Sequence, residues 1–128
     1  MKLLLDTHAL LWWLDDDDRL GADARELIAD PANDVHVSVA SLWEIAVKVR
    51  VGKLKVDMAA IERDIAEEAF TRLDITPRHL ELLMSVPMHH RDPFDHLLIA
   101  QANAEDMPLM TADAQITAYS VDRIPADR

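Results

Sequence analysis

Three short apolar runs, each leading straight into a carboxylate or a helix start, limit this chain more than any other feature. Lys2-Leu3-Leu4-Leu5 ends at Asp6, Val35, Val37 and Val39 alternate with His36 and Ser38, and Pro108-Leu109-Met110-Thr111 runs into Ala112-Asp113. Each has the length and content of a strand. Between them lie helical patterns. Thr7 to Leu14 is an apolar helix, and Ala22 to Ala29 is a short one with Leu27 and Ile28 facing inward. Ser41 and Glu44 fit a capping box that opens a helix running to Gly52, a residue suited to the left-handed C′ position. Asp57 caps a further helix carrying Met58, Ile61, Ile65 and Ala69 on one face, and Thr76-Pro77 starts another that closes before Pro87. Leu73-Asp74-Ile75 reads as a brief extended piece, and Ile124 to Arg128 as an added edge strand. Strands alternating with helices predict an α/β fold with a mainly parallel central β-sheet flanked by α-helices and joined by right-handed crossovers. No stretch is long enough to be a linker, so residues 1–128 read as a single domain.

The most informative helix start is Asp92-Pro93-Phe94-Asp95, which leads into the apolar stretch Leu97 to Ala102. Asp92 is an N-cap acceptor, and Pro93 at N1 gives up an N–H that would be unpaired there anyway. Asp95 falls at N3. Capping and dipole compensation explain both acids as well as ligand binding does, until other carboxylates are found in the same place.

Such carboxylates exist. In open α/β sheets, ligands bind beyond the carboxyl ends of the strands. Asp6 ends the first strand, Asp113 lies two residues past Thr111, and the expected helix starts put Glu44 and Asp95 in first turns at that same edge. Each has a structural use of its own, yet four like charges at one edge call for cations. Oxygen donors without cysteine favour hard ions, Mg²⁺ or Mn²⁺. Such ions suit phosphoryl chemistry, lowering the pKa of a bound water and stabilising charge on the phosphate.

Composition narrows the class further. The chain has no cysteine, which excludes thiol catalysis, disulfides and thiolate metal sites. Its formal charge of -11 argues against loose, field-driven nucleic-acid binding but leaves room for an enzyme whose acids hold cations. The basic cluster Lys48, Arg50, Lys53 and Lys55 is a solvated helix end by default, with a phosphate-tracking patch the minority reading. No apolar run reaches the length of a membrane span, and Met1 to Leu5 meets Asp6 too soon for a signal-peptide core, so a cytoplasmic location without membrane attachment is expected.

Asp6-Thr7-His8-Ala9-Leu10-Leu11-Trp12, Ser41-Leu42-Trp43-Glu44-Ile45 and Asp92-Pro93-Phe94-Asp95-His96-Leu97-Leu98-Ile99-Ala100-Gln101-Ala102 resemble the signature blocks of PIN-domain proteins. Together with Thr111-Ala112-Asp113 they span nearly the whole chain in the family's order. Within the family, the chain is most similar to the VapC toxins of bacterial type II toxin–antitoxin pairs. The resemblance implies a Mg²⁺- or Mn²⁺-dependent endoribonuclease, usually a homodimer, restrained by a VapB-like antitoxin and leaving 5′-phosphate and 3′-hydroxyl ends on its RNA. Residue by residue it implies Asp6, Glu44, Asp95 and Asp113 as the catalytic, metal-binding acids, with Asp92 an added candidate that capping explains. One position departs: His96 stands where this subgroup commonly has Arg, which leaves any phosphate or partner contact there unassigned.

Other readings rank lower. His89, His90 and His96 interleave with Asp92 and Asp95, but a zinc site would need three of these groups to converge from a helix start. A haloacid-dehalogenase-like phosphatase needs a second Asp where His8 stands. A receiver domain needs paired acids at the first strand. From another class comes a catalytically inert PIN-like module that binds RNA or protein, although such a module has no evident use for four converging acids. The Leu10 to Leu14 helix, with its two tryptophans, is the expected self-associating surface.

Overall fold

β1 (Lys2–Leu5) is the middle strand, and its three leucines are fully buried. The computed structural model describes residues 1–128. Five parallel strands stand in the order β3-β2-β1-β4-β5, with β2 spanning Asp34–Ser38, β3 Thr71–Leu73, β4 Leu109–Thr111 and β5 Arg123–Pro125. Six helices connect them: α1 (Thr7–Leu14), α2 (Ala22–Ala29), α3 (Val39–Arg50), α4 (Met58–Glu67), α5 (Pro77–Leu83) and α6 (Pro93–Ala104). Parallel strands need crossovers, and those crossovers cover both faces of the sheet. The outer strands are only three residues each, which leaves little open edge for pairing with another chain.

Side-chain alternation along β1 divides the interior in two. Leu3 and Leu5 pack with Leu10, Val35, Val37, Ile45 and Met110 on one face. Leu4 packs with Leu98, Ile99, Leu109 and Ile116 on the other. The β2 alternation of Val with His and Ser suggests one solvated face, but His36 and Ser38 are buried as well, Ser38 against Gln101 of α6. Ser38 Oγ donates to Gln101 Oε1 (2.5 Å), and Gln101 Nε2 lies 3.3 Å from the ring of buried His79. This polar chain satisfies the buried groups and ties α5 and α6 to β2.

Several boundaries differ from expectation. Ser41 does not cap α3. The cap is Ser38, whose Oγ accepts from the Ala40 N–H at 3.0 Å, so the helix begins at Val39 with no loop after β2. Ser41 is then fully buried inside the helix and Glu44 lies in its second turn. A strand-to-helix junction with the cap on the last strand residue looks, in sequence, like a longer strand followed by a later cap. The C-terminal end of α3 is as expected, with Gly52 at φ +79. Asp57 does cap α4 through the Ala59 N–H, but Ala69 lies beyond the helix at φ +57, turning the chain into β3. That strand ends at Leu73, where the extended piece was expected to begin. A five-residue 3-10 helix, Ala114–Ala118, has no clear apolar period and was not anticipated.

The tail pairs beside β4 and continues past it: the Gly21 N–H donates to Ala126 O (2.9 Å) and the Asp23 N–H to Arg128 O (2.8 Å). A Cβ on Gly21 would stand 2.1 Å from the Arg128 carbonyl carbon. Gly21→Ala is therefore expected to lower stability by about 1–3 kcal/mol in urea unfolding. Gly52→Ala, strained in φ but facing open space, should cost about 1 kcal/mol. No helix is long and apolar enough to cross a membrane.

The α1 tryptophans are not the main apolar exposure. Trp12 and Trp13 are half-buried, one under the Arg19 guanidinium and the other against Phe70. Exposed apolar side chains lie instead on α3, where Trp43 and Val47, followed by Val51, recur at helical spacing with Phe94 against the Trp43 ring, and on and after α5, at Leu80, Met84 and Met88.

Candidate functional site

The carboxyl edge of the sheet receives acids from four elements. Asp6 follows β1 in extended backbone and N-caps α1, its Oδ1 accepting from the Ala9 N–H at 2.8 Å. Asp113 follows β4 and caps the 3-10 helix through the Gln115 N–H (2.9 Å), while its own N–H donates to Thr111 Oγ1. Asp92 caps α6 by accepting from the N–H groups of Phe94 (2.9 Å) and Asp95 (3.2 Å), which sets Asp95 at N3. Glu44 reaches the same edge from the second turn of α3. The helix N-termini of α1 and α6 thus lie at this edge and direct partial positive charge toward it.

Asp6 and Glu44 are almost wholly buried. Glu44 is held by two donors, Thr7 Oγ1 at 2.6 Å and Lys48 Nζ at 2.8 Å. Ser41 Oγ lies 3.1 Å from Thr7 Oγ1. Burial pushes the Asp6 carboxyl above the usual carboxylate range, and Glu44 adds to the rise; the Thr111 hydroxyl, the Ala9 N–H and His8 oppose it. The Asp95 carboxyl is pushed up to about 7, chiefly by burial and then by the like charges of Asp92, Asp6 and Glu44, against the hydrogen bond from His90. Asp6, Glu44 and Asp95 therefore lie within one another's fields.

Asp113 joins them from the other side. Its carboxylate, that of Asp95 and a ring nitrogen of His90 offer donor atoms all within 4.8 Å of one another. Asp6 and Asp113 both line an open cleft of about 240 Å³, together with His8, Trp12 and Ala112. The carboxylate of Asp92 serves the helix cap and is not among the converging donors.

Like charges gathered at one edge, with the Asp6 and Asp95 carboxyls raised, are suited to a divalent cation, which would relieve the repulsion. The donors are chiefly carboxylate oxygens, which suits hard or borderline ions.

Several contacts have little trace in the sequence. Lys48 belongs to the basic cluster, yet its ammonium is committed to Glu44; the i,i+4 spacing is the one signal that could have revealed this. Thr7 and Ser41 carry no mark of their function. Of the three neighbouring histidines, His90 alone reaches the carboxylates. His89 packs edge-on to Tyr119, and His96 is buried with Nε2 3.2 Å from Tyr119 Oη, so neither completes a zinc site.

A family model for the PIN domain matches residues 3–122. The chain is similar in structure to VapBC2 from Rickettsia felis, solved bound to a DNA fragment from their promoter, with a TM-score of 0.73 and 17% identity over 97% of this chain and 98% of that one. It is also similar to VapBC-1 from nontypeable Haemophilus influenzae (TM-score 0.67, 14% identity, all of both chains). FitAcB from Neisseria gonorrhoeae gives a TM-score of 0.59 at 15% identity, covering 97% of each chain. At such identities these likenesses show the fold. Comparison with curated proteins finds no match.

Proposed function

The chain belongs to the PIN-domain family, and on that premise we propose that it is a divalent-metal-dependent endoribonuclease, the toxin of a VapBC-like pair. The observation that carries this reading is the gathering of Asp6, Glu44, Asp95 and Asp113 at one sheet edge, with Asp95 pushed up to about 7 by burial and by its neighbours. These four residues would hold Mg²⁺ or Mn²⁺, which when bound supplies an activated water and charge stabilisation at the phosphodiester. The protein's own part is to fix the acids. Asp6 and Asp113 are oriented by the N–H groups they cap, Asp95 by its place on a helix that Asp92 starts, and Glu44 by Thr7 and Lys48. Lys48 also offsets one negative charge beside the path of an anionic strand.

The chain's charge of -11 supports cation-bridged binding of RNA over direct attraction. A VapB-like antitoxin partner is part of the proposal, supported by the fold likeness to VapBC2 and VapBC-1. So is a homodimer, for which the exposed Trp43, Val47 and Val51 stripe offers a surface; sedimentation equilibrium measures it.

The test is incubation of the purified chain with end-labelled RNA. Cleavage is expected with Mg²⁺ or Mn²⁺, none in EDTA, and a loss of at least ~100-fold in Asp6→Asn and in Asp113→Asn. Cleavage that persists in EDTA or in both variants sinks the metal mechanism. RNA binding without cleavage in any ion would favour the inert binding module.

A further inference from the structure

His90 comes from the loop before α6 and touches the acidic set without being one of its four acids. Its ring is nearly buried, with Nε2 3.1 Å from Asp95 Oδ2. Its other nitrogen, Nδ1, lies 2.7 Å from the hydroxyl of buried Tyr119, and that same hydroxyl accepts the His90 backbone N–H at 3.0 Å. His96 Nε2 lies 3.2 Å from Tyr119 Oη on the far side. Without an ion, His90 Nε2–H donates to Asp95 and the Tyr119 O–H donates to His90 Nδ1. When an ion takes the place of the Nε2 proton, His90 Nδ1–H donates to Tyr119 Oη, the Tyr119 O–H turns to His96 Nε2, and the His90 Nε2 lone pair is free for the ion beside Asp95 and Asp113. This is the arrangement of a ligand histidine, in which the outer ring nitrogen fixes the tautomer and aims the inner one. Backbone and side chain of His90 are both anchored on one phenol, which also fixes the direction of the ring.

We propose that His90 is a nitrogen ligand of the acidic centre, giving an ion held at Asp95 and Asp113 a mixed nitrogen and oxygen donor set that selects Mn²⁺ over Mg²⁺. The inference rests on the metal-centre reading above and deepens it. Imidazole suits the transition ions, whereas Mg²⁺ takes oxygen donors and keeps much of its water. His96 and Tyr119 act through His90: they hold its tautomer and do not face the ion.

The experiment needs no RNA. Mn²⁺ is bound to the full chain and examined by pulsed electron paramagnetic resonance for coupling to ¹⁴N, and the affinities for Mn²⁺ and Mg²⁺ are measured in wild type, His90→Gln and Tyr119→Phe. Nitrogen coupling is expected in wild type and lost in His90→Gln. Mn²⁺ affinity should fall ~10-fold or more in His90→Gln and roughly 3-fold in Tyr119→Phe, with Mg²⁺ affinity changed less than about 3-fold. A wild-type chain that binds Mn²⁺ without nitrogen coupling overturns the ligand role and leaves the carboxylate centre standing. Equal losses for both ions in His90→Gln overturn the selectivity. A chain that binds neither ion removes the metal-centre reading itself. If His90→Gln fails to fold, the wild-type spectrum decides alone.

Discussion

Asp95→Asn should make the metal-free protein more stable at pH 8 while reducing RNA cleavage by at least ~100-fold. The Asp95 carboxyl is pushed up to about 7 in the folded chain from an ordinary value of 3.8. A folded-state value above the unfolded one means that the native state holds the proton more tightly. The stability linked to that proton is fully present below about pH 4 and is lost as pH rises through about 7. At pH 8 the wild type carries the whole penalty, which Asn does not. Because the group is partly open to solvent, the gain is expected at about 1–2 kcal/mol. Thermal unfolding in EDTA at pH 8 and pH 5 measures it; the variant's advantage should shrink at the lower pH. Saturating Mn²⁺ should reverse the order, stabilising wild type more than the variant. A variant that is less stable than wild type at pH 8 would show that Asp95 holds the helix start together and is not strained by its neighbours.

Leu98→Ala should lower stability by about 3–4 kcal/mol, a large part of what a domain of this size has. Leu98 is fully buried, and it lies on a helix with eight buried residues out of twelve, packed on one face of the sheet and against α5. The surrounding contacts with Leu4, Ile99 and Leu109 belong to rigid elements that have little freedom to close the gap. Urea unfolding reads the loss. Cleavage per folded molecule, measured well below the midpoint, is expected to stay within about 2-fold, because Asp92 still caps the helix and sets Asp95 at its N3 position. A larger loss of cleavage without a loss of stability would place Leu98 in the binding of substrate.

The α/β architecture was legible because the interior is segregated by simple periods. Leu3 to Leu5 is too apolar for an outer strand, and Asp92-Pro93 is an unambiguous helix start, so both elements fall where the pattern places them. The start of α3 was not, because Ser38 and Ser41 carry the same side chain and only the tertiary position of β2 decides which one caps. The acids could be nominated from strand ends and helix starts, since those are local features. Their environment could not. The elevation of Asp95 depends first on burial and then on charges that include Asp6 and Glu44, far away in the chain, and the aim of His90 depends on Tyr119, 29 residues further on. Contacts of that kind are set by packing and leave no local period.

The central position of β1 also has a consequence for synthesis. The first strand made has β4 as one of its two neighbours, and Asp6 stands opposite Asp113 across the cleft that follows them. Translation at about 5–20 residues per second separates those two acids by roughly 5–20 s. During that interval the nascent chain holds Asp6, Glu44 and, later, Asp95 without the pairing that forms the edge. Asp113 joins the other acids only once β4 has emerged and paired, and a product that stops short of residue 109 keeps Asp6, Glu44 and Asp95 but lacks the strand that brings Asp113 to them.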